Sequence, residues 1–294
     1  MNKRSAVVGF VGLGAMGGRM AARLIDAGHP LVIYNRSPER AAPLGRAGAE
    51  IVATPAEVAS QADVVCGCLL NGNAIEQVYG GDDGMIGASR RGQIFVEHGT
   101  FAPDLARTLA QRLGERGATF LDAPVTGGPE AASSGNLTMM IGGPAEAVTE
   151  VSAILGSYAA RIRHIGDSGA GLELKLINQL LVSCHVAAAA EAIAMLQRLQ
   201  LPLDTAREIL SAGWASSAML DRSLTLLKDG LFDESEVTIG GLVEPQQLAA
   251  AAAAGVGLDL TLLPVVAKLF LDARASGLEK KDLAALVRMF EAES

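Results

Sequence analysis

The stretch "AVVGFVGLGAMGGRMAARL", residues 6–24, decides the fold. A short apolar, β-branched run leads into Gly12, Gly14 and Gly17, and a helical pattern of Met, Ala, Arg and Leu follows. Strand, turn and helix in that order make G-x-G-x-x-G a dinucleotide signature. Its glycines permit the sharp turn and let backbone N–H groups approach a pyrophosphate at the helix start. Gly12, Leu13, Gly14, Ala15, Met16 and Gly17 are therefore candidate cofactor ligands.

Outward from this turn the pattern repeats. "LVIYN" (31–35), "DVVCGCLL" (63–70), "QIFVEHG" (93–99) and "TFLDAPV" (119–125) read as strands. Helices are expected over 16–27, from about 39, and around 73–79, 103–116 and 145–155. Strands spaced by helices make βαβ units and a doubly wound, mostly parallel sheet. From about residue 170 strand signals stop, and Ala/Leu-rich helical stretches fill 170–199, 203–212, 216–228, 245–254, 260–276 and 280–291. The expected fold is an N-terminal α/β Rossmann domain over 1–166, followed by an all-α domain over 167–294, joined by a long helix.

The totals suit this reading. The 294 residues are half hydrophobic, with 34 glycines and a net charge of −8. Without a Lys/Arg cluster, a nucleic-acid partner is not expected, and an anionic substrate would need a local site. Cys66, Cys68 and Cys184 lack metal-type spacing, so no metal is expected, and free thiols fit a cytoplasmic chain. Met1–Ser5 show no leader pattern. Leu176–Leu196 is apolar but interrupted by Asn178, Gln179, His185 and Glu191, so it reads as a buried helix rather than a membrane span.

Three further positions carry chemistry. A NAD-preferring site usually ends its second strand with a carboxylate for the ribose hydroxyls. Here Asn35 stands there, followed by Arg36, Ser37 and Arg40, a set that suits a 2′-phosphate and predicts NADP preference, with NAD possible. "DAPVTGGPEAASSGNLTMMIGG" (122–143) runs a strand into Thr126, Gly127 and Gly128. Its backbone N–H groups and hydroxyl suit a carboxylate, although an ordinary Gly-Pro turn has the same composition. In "GAGLELKLINQLL" (169–181), Lys175 and Asn178 share one helix face and can hold one small polar ligand together. Spacing alone favours a surface lysine stretching to solvent. His185, about two turns on, reads as a core histidine.

These motifs together, in this order, resemble the β-hydroxyacid dehydrogenase family, which contains 3-hydroxyisobutyrate dehydrogenase, tartronate semialdehyde reductase and L-threonate dehydrogenase. "GFVGLGAMG" is similar to its cofactor signature, "DAPVTGGPEAASSGNL" to its substrate signature and "GAGLELKLINQ" to its catalytic signature. The helical segment looks most like the threonate-dehydrogenase branch. The resemblance implies hydride transfer between a nicotinamide and a small 3-hydroxy acid, or the corresponding oxo-acid or semialdehyde. It implies Lys175 as general acid/base with Asn178 beside it, and Thr126, Gly127 and Gly128 on the substrate carboxylate. Leu69, Leu70, Asn71 and Thr100 would line the cofactor, and the helical domain would build a homodimer or homotetramer.

The chain departs from the family pattern at several places. Thr126 stands for a serine, Glu97-His98-Gly99-Thr100 for Asp-x-Ser-Thr, and Gln179 for a second asparagine. Gln246-Gln247-Leu248 replaces the usual Lys-Asp-Leu, while Lys280-Lys281-Asp282-Leu283 spells a similar motif on an expected surface helix. The missing charge admits a neutral or bulkier substrate group against Trp214 and Phe232. The alternatives are an imine reductase, whose relatives generally lack the lysine, and a non-catalytic cofactor-binding protein.

Overall fold

The computed structural model describes residues 6–231, 233 and 235–291. Met1–Ser5, where no leader is expected, and Phe232, expected beside the substrate, lie outside the described residues. The chain folds as two compact units, Met1–Lys175 and Leu176–Ser294.

In the first unit, β1 (Val8–Val11), β2 (Leu31–Tyr34), β3 (Glu50–Ile51), β4 (Val64–Gly67), β5 (Ile94–Glu97) and β6 (Thr119–Asp122) are parallel, in the order β3-β2-β1-β4-β5-β6. β7 (Val125–Thr126), β8 (Leu137–Gly142) and β9 (Ala159–Gly166) extend the sheet: β8 runs antiparallel to β6 and β7 and parallel to β9. The crossovers are α1 (Gly17–Asp26), α2 (Pro38–Arg46), α3 (Pro55–Gln61), α4 (Gly72–Gly80), α5 (Met85–Ala88), α6 (Pro103–Gly114), α7 (Gly128–Ser134) and α8 (Ala145–Leu155). α9 (Ala170–Arg198) follows.

Strand alternation sends side chains to opposite faces of the sheet. Val8 and Phe10 pack with Met20 and Leu24 of α1 on one face. Val11, Val65 and Phe95 pack with Val58, Ile75, Tyr79 and Leu109 on the other. Full burial of such side chains contributes about 1.5–3 kcal/mol each.

The second unit holds α10 (Leu203–Ala212), α11 (Ala218–Asp229), α12 (Val243–Gly255) and α13 (Leu262–Ala273). By length and composition α9 could cross a membrane. Its Val186, Ala187, Ala190 and Ile193 instead enter the helical core with Leu220, Phe270 and Leu286.

Several expectations are corrected. The strand read over 119–125 breaks after Asp122, because Pro124 has no N–H for a ladder; its carbonyl accepts the Met140 N–H at 3.1 Å. The sequence pattern holds no expected strand at β8 or β9 and no expected helix at α3 or α7. The helix expected over 260–276 ends as α13 at Ala273, and Gly277 turns the chain with φ +84°. The expected surface helix at 280–291 is a 3-10 segment, Leu283–Phe290, whose Leu283–Val287 are buried. His185 is exposed rather than in the core, because Val186, Ala189 and Ala190 take the inward face of α9.

Candidate active site

The dinucleotide turn lies at the C-terminal ends of β1 and β4, where strand order reverses and open α/β sheets bind ligands. Gly12 has φ +90°, and a Cβ there would sit 2.5 Å from the Cys68 carbonyl oxygen. A Cβ on Gly17 would sit 1.9 Å from the Gly12 carbonyl oxygen, so α1 can start only against a glycine. Gly14 is open: its nearest neighbour would be the Arg40 guanidinium, 3.6 Å from a Cβ. Among the described residues the N–H groups of Gly14, Ala15 and Met16 have no acceptor. An uncovered backbone with unpaired N–H groups at a helix start fits a pyrophosphate.

Leu13 has a different task. Its side chain is buried, and its N–H donates to Asn35 Oδ1 at 2.8 Å. Asn35 Nδ2 in turn donates to the Ser37 carbonyl at 2.9 Å, so Asn35 ties the glycine turn to the end of β2. Arg36 and Arg40 beside it are exposed.

Glu97, the last residue of β5, is fully buried. It accepts the N–H groups of Leu69 at 3.1 Å and Gly99 at 2.9 Å, and the Tyr79 hydroxyl at 3.2 Å. Burial pushes its carboxyl up to about 7, against the lowering effect of these donors. Two loops expected to line the cofactor thus hang from one carboxyl. Leu70 is exposed, the Asn71 side chain caps α4 through the Ala74 N–H at 3.0 Å, and Thr100 is half-buried. His98 is fixed by the Ala123 carbonyl at 2.8 Å and the Tyr158 hydroxyl at 3.0 Å, and burial pushes it down to about 4, so it is neutral.

β6 ends at Asp122 and β7 leads into the substrate-type loop. Thr126 and Gly128 are half-buried and Gly127 is exposed; Gly127 and Gly128 have φ +130° and +72°. Asp122 is buried, and Oδ1 accepts the Gly169 N–H at 2.7 Å while Oδ2 accepts the Leu172 N–H at 2.9 Å. Burial raises its pKa, against those backbone donors.

Lys175 lies three residues past Leu172 on α9. It is 8% exposed and has no hydrogen-bond or ion-pair partner among the described residues. Burial pushes its ammonium down to about 8, where a lysine can both give and take a proton near neutral pH. Asn178, one turn on along α9, is half-buried, and its Nδ2 donates to Gln179 Oε1 at 3.3 Å.

In the second unit, Gln246 is buried and Nε2 donates to the buried Ser183 Oγ at 3.1 Å. Asp282 is buried under a bidentate Arg222, 2.6 Å on each oxygen, so this second Lys-Asp-Leu motif anchors the helical core. Trp214 is fully exposed. Among the described residues no three His, Cys, Asp or Glu side chains gather to hold a metal. Asp122 and Glu97 are the residues that reading for ligands missed. The signal was there: each is an acid ending a buried apolar strand, "TFLD" and "IFVE".

An open sheet with a glycine turn at its reversal point and a buried lysine on the following helix defines a nicotinamide-dependent oxidoreductase. Residues 7–166 match the NAD binding domain of 6-phosphogluconate dehydrogenase, and 169–290 match the family described as NAD-binding of NADP-dependent 3-hydroxyisobutyrate dehydrogenase. L-threonate dehydrogenase of Cupriavidus necator is 33% identical over 285 residues, 96% of this chain and 95% of that protein. The crystal structure of 3-hydroxyisobutyrate dehydrogenase from Salmonella typhimurium superposes with a TM-score of 0.88 at 29% identity, covering 97% of this chain and 99% of that one. A protein solved with NADP+ and 2-OPP gives a TM-score of 0.89 at 27% identity, over 97% and 100% of the two chains. The chain belongs to the β-hydroxyacid dehydrogenase family and is an NAD(P)-dependent oxidoreductase of small hydroxy acids.

Proposed function

We propose that the chain is an NADP-preferring dehydrogenase of a small 3-hydroxy carboxylate, or in reverse a reductase of its oxo-acid or semialdehyde, with Lys175 as general acid/base. The observation that carries this reading is Lys175 itself: a buried lysine with no partner among the described residues, its pKa lowered by burial to about 8. When bound, the nicotinamide takes up or supplies the hydride at the carbinol carbon. In oxidation, neutral Lys175 takes the hydroxyl proton as that carbon becomes a carbonyl; in reduction, the ammonium returns it. Asn178 orients the hydroxyl, and Thr126, Gly127 and Gly128 hold the carboxylate.

Arg36, Ser37 and Arg40 favour a 2′-phosphate by charge and hydrogen bonding, which supports NADP over NAD. Gly12, Gly14, Ala15, Met16 and Gly17 would cradle the pyrophosphate, with Leu13 and Asn35 holding the turn. Leu69, Leu70, Asn71 and Thr100 would line the nicotinamide side. The functional division is a cofactor domain, 1–166, and a helical domain, 167–294, working in the cytoplasm as a homodimer or homotetramer.

The test is to follow reduced nicotinamide absorbance with each cofactor against 3-hydroxy acids, semialdehydes and cyclic imines. Turnover of a hydroxy acid with NADP is expected. Turnover of imines alone, or none with any substrate despite cofactor binding, would overturn the reading.

A further inference from the structure

We infer that Asp122 is a positioning residue: its carboxylate bolts the first turn of α9, and with it Lys175, to the strand that delivers the loop Thr126–Gly128. The inference rests on the roles proposed above for Lys175 and for that loop.

The geometry is unusually constrained for one side chain. The first N–H groups of a helix lack partners within it, and an acid at that end satisfies them and suits the helix dipole. Asp122 does so with both oxygens, on Gly169 and Leu172. Glycines leave the room. A Cβ on Gly142 of β8 would sit 2.5 and 2.8 Å from the two carboxylate oxygens. A Cβ on Gly171 would sit 2.9 Å from Oδ2 and 2.5 Å from the Met140 carbonyl oxygen. Gly169, where the chain turns into α9, has φ +97°, which an L side chain adopts only with strain.

Chain distances make the carboxylate a ruler. Thr126 stands four residues after Asp122, and Lys175 three after Leu172, so two sets of reactive groups are referred to one point within Met1–Lys175. The exposed pair between Arg107 and Glu173 is a weaker tie at the surface. Displacing a reacting group by ~1 Å can cost about 100-fold in rate.

Asp122→Asn keeps the shape but presents an amide to one of the two N–H groups. Gly142→Ala keeps the carboxylate but pushes it from behind out of its present position, which guards against a folding failure of the first variant. Each protein is titrated with NADPH by fluorescence, and kcat is expressed per cofactor-binding site, so unfolded protein drops out. Asp122→Asn and Gly142→Ala should each lose about 10- to 100-fold in kcat per site, with NADPH affinity within about twofold. Glu173→Gln should turn over like wild type. In a Lys175→Ala background, Asp122→Asn should cost little more, because residues acting through one group are not additive.

Wild-type kcat per site in both Asp122→Asn and Gly142→Ala, with Lys175→Ala inactive, would overturn the inference and leave the proposed function standing. An equal loss with and without Lys175 would assign Asp122 a general structural role and also overturn it. Full activity of Lys175→Ala would instead overturn the proposed function.

Discussion

Asn35 Oδ1 accepts the Leu13 N–H at 2.8 Å, so the residue that follows β2 is bonded to the dinucleotide turn rather than left free for a ribose. Asn35→Asp keeps that acceptor but places a second oxygen against the Ser37 carbonyl, where Nδ2 now donates at 2.9 Å. It also sets a negative charge beside Arg36. The ratio of kcat/KM for NADP over NAD should fall about 10-fold or more, the scale of one charge-assisted contact. Arg36→Ala should weaken NADP and leave NAD within about twofold. Steady-state kinetics with both cofactors checks both.

The pH profile follows from Lys175. With its pKa lowered to about 8 by burial, the neutral base is scarce below that value. Oxidation should rise with pH, close to tenfold per unit, and level off above about 8, while reduction should hold at low pH and fall above about 8. Initial rates in both directions across pH 6–10, at saturating cofactor, measure this.

Lys175 should also cost stability. Its pKa is lowered on folding, so the penalty of burying the ammonium is full below about 8 and fades as pH rises towards the unfolded value of 10.5. Lys175→Met should stabilise the protein at pH 7 by about 1–3 kcal/mol. The gain should shrink by pH 10, as read from urea unfolding at both pH values.

Asp282 makes the opposite prediction for the helical unit. Burial pushes its carboxyl up, but Arg222, the Ala284 N–H at 2.9 Å and Ser235 at 2.5 Å outweigh burial and hold it below the usual range. Its contribution is therefore present above the unfolded carboxylate pKa and lost as pH falls through the lower folded value. Asp282→Ala should destabilise by about 3 kcal/mol at pH 7, because it removes the buried carboxylate to which Arg222, Ser235 and the Ala284 N–H all donate. It should leave kcat within about twofold. Urea denaturation at pH 7, set beside kcat, checks both halves.

Legibility in the sequence followed how local the determinants are. The glycine turn, the apolar strands β1, β2, β4 and β5 and the long helix α9 are written in consecutive residues, and the expected elements stand within a few residues of their observed ends. β9 was illegible because it is a polar strand paired with β8, with Arg161, Arg163 and His164 exposed. The 3-10 segment at Leu283–Phe290 has helical periodicity, but the buried Asp282 cap that starts it is a tertiary device. Asp122 and Glu97 stand visibly at the ends of their strands, but their partners do not, lying 47 and 28 residues away in sequence at Gly169 and Leu69. Gln246 was legible as a departure from the family pattern, but its bond to Ser183 was not.

The central claim is that Lys175 moves the substrate proton. The most direct measurement is Lys175→Ala turnover per NADPH-binding site, with the hydroxy acid that wild type oxidises best. A loss of at least about 100-fold in kcat, with NADPH affinity unchanged, is the result expected. Turnover within a few-fold of wild type at pH 8 would contradict the account.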